Sequence, residues 1–212
     1  MVGVLEEDEE YSETEVAYHE AGHAVACYAL RMRFSSITII SAEEYRARVH
    51  MPNPWRTFQP ECADLDNPKD RARIEKFAMM KLAGPAAQEI FLGKKVKDDT
   101  GRSEDWGGAY DILDYVTGSN EETLAYVEWL KERMGSFFRR RNGVYFHAVE
   151  AVAKTLLAKK TLGYKETRDI ITRYFESISP LSKADIARMR LDPKERRAIR
   201  ELLRSDPDVG KS

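Results

Sequence analysis

His19 and His23 stand four residues apart in the run His19-Glu20-Ala21-Gly22-His23. Residues at that spacing share a face only where the chain is an α-helix, one turn separating them. A chain that uses the two imidazoles together must therefore build a helix here. The flanking residues agree, because Val16, His19, His23, Cys27 and Leu30 fall along one stripe of a helix from Thr14 to about Met32. Ser12 followed by Glu15 fits a capping box at its start, with Thr14 as the alternative cap. Gly22 costs such a helix about 1 kcal/mol relative to alanine, a loss that packing has to offset.

Two imidazoles on one helical turn can both reach a single Zn²⁺. Glu20, next to the first, can reach the open side of that ion, where a carboxylate activates a zinc-bound water and later passes its proton to a departing amine. Two of the chain's four histidines are spent on this turn. The pattern predicts a zinc-dependent peptidase with His19 and His23 as metal ligands and Glu20 as general base. A catalytic zinc takes a third protein ligand and leaves the fourth position to water. No third histidine follows in the HExxHxxGxxH manner, so on spacing alone His50, His147 and many carboxylates qualify. Cys27 reads as a small buried hydrophobe, since a third in-line position on one straight helix cannot close a tetrahedron.

Beyond this helix, Ser36–Ile40 and Arg46–Met51 read as two short strands around a turn near Glu43 and Glu44. Ile37-Thr38-Ile39-Ile40 is expected at the sheet edge, where an extended peptide could pair with it and lie across the metal. Four of the chain's eight prolines fall at Pro52, Pro54, Pro60 and Pro68, so residues 52–67 read as a loop with Trp55 and Phe58 in it. Asn67-Pro68 opens a helix that stops near Gly93. Helices follow from Ser103 to Gly118, from Asn120 to a terminator at Gly135, and at about 145–160, 165–178, 182–190 and 193–204. Phe137 and Phe138 are expected to pack a helix junction, and Trp106 to lock its turn into the core. The predicted fold is mostly α, with one small β-sheet or hairpin after the HExxH helix. Residues 1–13 form an acidic leader, 14–205 one domain and 206–212 a flexible tail.

Composition narrows the function. Lys+Arg total 34 against Asp+Glu 36, a net charge of −2, which gives no basis for nucleic-acid binding. No run reaches the ~18 apolar residues of a membrane span. The acidic start is the reverse of a targeting peptide. Two cysteines, Cys27 and Cys62, make no disulfide framework, so a cytoplasmic location is expected.

The run Glu15-Val16-Ala17-Tyr18-His19-Glu20-Ala21-Gly22-His23-Ala24-Val25 resembles the peptidase domain of the FtsH-type zinc proteases, which reads AYHEAGHA here. Leu82–Gly93 is similar to that family's LGGRAAEEIFFG segment, Thr100–Trp106 to its TGASNDL segment, and Ala153–Leu162 to its ALLEKETL helix. The likeness spans about residues 14–175 in order. It implies that Asp105, matching the aspartate of TGASNDL, is the third zinc ligand. Independently, Asp105 falls in the first turn of a predicted helix, where a carboxylate is favoured. The chain departs from the pattern at Pro85, where the family has arginine, at Gln88, where it has glutamate, and between the strands and Asn67.

The family carries an ATP-driven unfolding module and membrane anchors ahead of this domain. Only a short stretch precedes His19 here, and no GxxxxGK[ST] occurs. The expectation is an ATP-independent zinc metalloendopeptidase acting on flexible or unfolded polypeptides, with a homo-oligomer as an option. Alternatives are a regulatory HExxH protease that cuts one specific partner, and a non-catalytic zinc-stabilised interaction module. Retention of Glu20 weighs against the last, because structural zinc needs no base.

Overall fold

The computed structural model describes residues 12–40, 48–50, 59–64, 67–96 and 104–176. Order along the chain is α1 (Glu13–Leu30), β1 (Ser36–Thr38), β2 (Arg48–His50), a 3₁₀ turn (Pro60–Cys62), α2 (Pro68–Leu92), α3 (Glu104–Leu113), a second 3₁₀ turn (Asp114–Val116), α4 (Asn120–Lys159), β3 (Thr161–Gly163) and α5 (Tyr164–Glu176). The fold is mostly helical with one small antiparallel sheet. The helices expected at 182–190 and 193–204, the turn at 43–44, the Ser103 cap, and Trp55 and Phe58 lie outside the described residues.

Local chemistry starts each of the main helices. Ser12 caps α1 through a complete capping box, its hydroxyl accepting from Glu15 N while Glu15 Oε2 accepts from Ser12 N at 2.8 Å. Asn67 caps α2 ahead of Pro68, and Ser119 caps α4. Arg31, with φ of 59°, and Gly93, with φ of 66°, end α1 and α2 in the left-handed region.

α1 is the centre of the described fold. Every residue from Glu20 to Cys27 is buried, so the helix is enclosed all round rather than along the single expected stripe. α2 and α4 pack against it and share its apolar cluster, which includes Val25, Ile37, Phe138, Val152 and Leu156. A second cluster joins α2, α3 and α4 through Ile74, Leu82, Ile112, Leu113, Val127 and Leu130. Gly22 shows what offsets its helix cost. A Cβ there would stand 2.6 Å from both Ala83 O and Ala87 Cβ, so the bare glycine lets α1 and α2 touch backbone to backbone.

Three expectations need correction. The sheet order is β2-β1-β3, so β1 is the central strand, hydrogen-bonded on both sides. Ile37 and Thr38 therefore offer no edge to a peptide, and Ile39 and Ile40 lie beyond the strand. Two strands are expected and a third is present, just past the helix expected at about 145–160: α4 ends at Lys159, Lys160 turns left-handed at φ 65°, and Leu162 then pairs with Ile37, both fully buried. That long-range pairing, and no local pattern, makes Thr161–Gly163 a strand. Gly135 does not terminate anything, because α4 runs for 40 residues through it. The interruption falls at Gly143, whose φ is +76°. Phe137 and Tyr145 stack there with centroids 4.5 Å apart. Eight residues of straight helix rise about 12 Å, so this stack requires the helix to bend at the glycine. Phe138 is fully buried beside the bend, as a packed junction requires.

Candidate metal centre

Three helices bring the predicted site residues together. α1 supplies His19 and His23, whose rings sit edge to face with centroids 4.8 Å apart. α3 supplies Asp105 from its first turn. Asp105 Oδ2 lies 2.8 Å from His19 Nε2 and 3.0 Å from His23 Nε2, and the two Nε2 atoms are 3.1 Å apart. Among the described residues these are the one group of three or more His, Cys, Asp or Glu side chains placed to hold a metal ion. His50 sits in β2 and His147 pairs with Glu150 at 2.9 Å, so neither joins the group. Cys27 is buried among apolar residues, and burial pushes its thiol up to about 12.

The outer nitrogens decide what the inner ones present. His23 Nδ1 lies 2.8 Å from the Met80 carbonyl, which can only accept, so Nδ1 carries the proton. His19 Nδ1 is 3.1 Å from Gln88 Oε1 and donates to it in the same way. Each imidazole, when neutral, therefore turns a lone pair inward at Nε2, and Asp105 Oδ2 adds a third. Three converging lone pairs within about 3 Å repel one another unless a cation lies among them. A proton can serve. Burial opposes charge on His19, but the Asp105 carboxylate outweighs it and carries the imidazole up to about 9. Burial likewise opposes the Asp105 charge, and His23 and His19 still hold it well below the usual carboxylate range.

α2 forms the floor. A Cβ on Gly84 would stand 2.6 Å from His19 Nε2 and closer still to His23 Nε2, so this position accepts only a bare backbone. Pro85 follows directly and has no N–H to give the Lys81 carbonyl, yet α2 continues to Leu92. Lys81 Nζ bonds the other Asp105 oxygen, Oδ1, at 3.0 Å. Trp106, beside Asp105, packs on the second apolar cluster as expected, with the Lys131 ammonium 5.3 Å over its ring. Lys131 in turn pairs with Glu89 at 2.8 Å, both largely buried, tying α4 to α2 next to the site.

Glu20 completes the centre. It is buried, and its Oε2 is the one buried side-chain oxygen or nitrogen among the described residues without a hydrogen-bond partner. Burial raises its pKa, against the pull of His23 and His19. Buried polar side-chain atoms are hydrogen-bonded as a rule, so this oxygen is an exception that calls for an explanation.

The donor set fits zinc: two imidazole nitrogens, one carboxylate oxygen, each histidine oriented by an outer partner, and an unpartnered carboxylate oxygen of Glu20 alongside. Sequence reading singled out His19, Glu20, His23 and Asp105, which the fold assembles. It did not find the roles of Gly84, Lys81 or Met80, and it saw Gln88 only as a departure from the family pattern. Lys81, Gly84 and Gln88 lie at i, i+3 and i+7, one face of α2, and a lone lysine on that apolar face was the available clue.

Comparison of the chain with known protein families and with characterised proteins returns no match.

Proposed function

We propose that this chain is a zinc metalloendopeptidase of the FtsH type that hydrolyses flexible or unfolded polypeptides. The observation that carries the reading is the convergence of His19 Nε2, His23 Nε2 and Asp105 Oδ2, all within 3.1 Å, beside the buried, unpartnered Oε2 of Glu20. A structural metal site has no use for such an oxygen.

His19, His23 and Asp105 would hold the ion. Zinc bound there would lower the pKa of a water and polarise the scissile carbonyl. The protein's own part is proton handling and orientation. Glu20 accepts the proton of the attacking water at Oε2, and its raised pKa lets it retain that proton and release it to the leaving amine nitrogen. Gln88 and Met80 keep both imidazoles in the one tautomer that points Nε2 inward. None of these steps uses a nucleotide, so hydrolysis proceeds without ATP. Flexible substrates fit because the site lies between packed helices, with His19 and Asp105 only partly exposed. Both cysteines are free thiols, in keeping with a reducing, cytoplasmic setting. Among the described residues no helix is long and apolar enough to cross a membrane.

The test is cleavage of an unfolded protein by zinc-loaded chain without ATP, comparing wild type with Glu20→Gln. Cleavage by wild type, with loss of about 10²-fold or more in the variant, supports the reading. Equal activity in both removes Glu20 as the base. Bound zinc with no cleavage by either supports the interaction module instead.

A further inference from the structure

Asp105 is held by more than the histidines. Lys81 reaches it from α2, a different helix, and its stem crosses α3 at Gly108. A Cβ on that glycine would stand 3.3 Å from Lys81 Cε and 3.7 Å from Cδ, so the absence of a side chain there gives the lysine its path. Nζ ends 3.0 Å from Oδ1 of Asp105, three residues earlier on the same helix. Side-chain exposures of 26% for Lys81 and 16% for Asp105 leave the pair mostly out of solvent. Fixing a lysine along its whole length sacrifices more rotamer entropy than a chance surface contact returns.

The two oxygens of Asp105 are thus assigned to different partners, Oδ1 to Lys81 and Oδ2 to His19 and His23. Among the described residues Lys81 alone gives Oδ1 a partner of its own. The carboxylate torsion is soft and two-fold, so either oxygen, or both, could turn toward the histidines.

We propose that Lys81 is a positioning residue that reserves Oδ1 of Asp105, so that Oδ2 alone serves the metal centre. The inference rests on the reading of His19, His23 and Asp105 as metal ligands. It assigns Lys81 a function in site geometry: a carboxylate confined to one oxygen leaves room at the ion for water and the scissile peptide. It also explains why α2 carries an ammonium on the face it shares with Gly84 and Gln88.

The experiment uses the full chain, stripped of metal and titrated with Co²⁺ against a chromophoric competitor, recording affinity and the visible cobalt spectrum. Lys81→Met keeps the unbranched stem against Gly108 and removes the ammonium, and Lys81→Arg restores a charged donor. Lys81→Met is expected to weaken Co²⁺ binding about tenfold and to lower the visible absorption as the second oxygen turns inward. Lys81→Arg should recover affinity to within about threefold of wild type together with its spectrum. Equal affinity and superimposable spectra for wild type and Lys81→Met overturn the assignment while leaving the metal centre intact. If Lys81→Met loses its helical circular dichroism, Lys81→Gln carries the same comparison. No Co²⁺ uptake by wild type overturns the metal centre itself, and this inference with it.

Discussion

Gly84 lies directly beneath His19, so close that a Cβ on the glycine would stand 2.6 Å from the imidazole Nε2. The histidine pair and the backbone of α2 are therefore parts of one surface. Any side chain at Gly84 must displace the nitrogens that converge with Asp105. Gly84→Ala should keep its helical circular dichroism, since alanine favours a helix, and lose about 100-fold or more in zinc affinity. Competition with a chromophoric chelator measures it. Wild-type affinity in the variant would mean that the imidazoles can move away without cost, and that their convergence is loose.

Two other glycines should respond with opposite signs. Gly22→Ala places a methyl 2.6 Å from Ala83 O and Ala87 Cβ, where backbone cannot yield easily, and should destabilise by about 1–3 kcal/mol. A Cβ on Gly107, inside α3, meets nothing within 4 Å. Gly107→Ala should therefore stabilise by about 0.5–1 kcal/mol. Urea unfolding of both variants gives the two signs, and like signs would count against the close approach of α1 and α2.

What could be read directly from the chain was what depends on neighbours in sequence. Ser12 with Glu15, and Asn67 with Pro68, fix helix starts through contacts three residues away or fewer, and both stand in the fold. β3 could not be read that way, because Thr161–Gly163 is a strand only through its pairing with Ser36–Thr38, over 120 residues distant. The same limit applies within the site. His19, Glu20 and His23 declare themselves by spacing on one helix. Gly84, Gln88 and Lys81 gain their roles only because α2 crosses α1 at Gly22, which no local pattern reveals. Gly135 and Gly143 differ for a related reason: only Gly143 takes a positive φ, and the Phe137–Tyr145 stack that accompanies it is tertiary.

The two cysteines should be separable by chemistry. Burial pushes Cys27 up to about 12, whereas Cys62 is exposed. Native protein at pH 8 should take up one equivalent of iodoacetamide, at Cys62, and a second only when unfolded. The same shift has a thermodynamic sign. In the folded chain Cys27 keeps its proton above its ordinary value of 9.0, while the unfolded chain loses it. The unfolded state then binds fewer protons, so this contribution to stability is complete below pH 9 and declines from there to about 12. Unfolding free energies across that range should fall less steeply for Cys27→Ala than for wild type. Parallel slopes would show that Cys27 ionises equally well in both states.

If Glu20 is the base proposed above, its unpartnered oxygen is kept at the expense of stability. Its Oε2 is buried without a hydrogen bond, and burial disfavours its charge. An apolar side chain of the same length removes both penalties, and a methionine fits the unbranched space. Glu20→Met, compared with wild type in the metal-free state, should be more stable by about 1 kcal/mol, or about 2–4 °C in Tm. It should also be inactive, because no group remains to take the proton. A scanning calorimeter and the unfolded-protein assay together test the trade. Were Glu20→Met less stable than wild type, Glu20 would have to hold α1 in place through its other oxygen, and its persistence would no longer speak for catalysis.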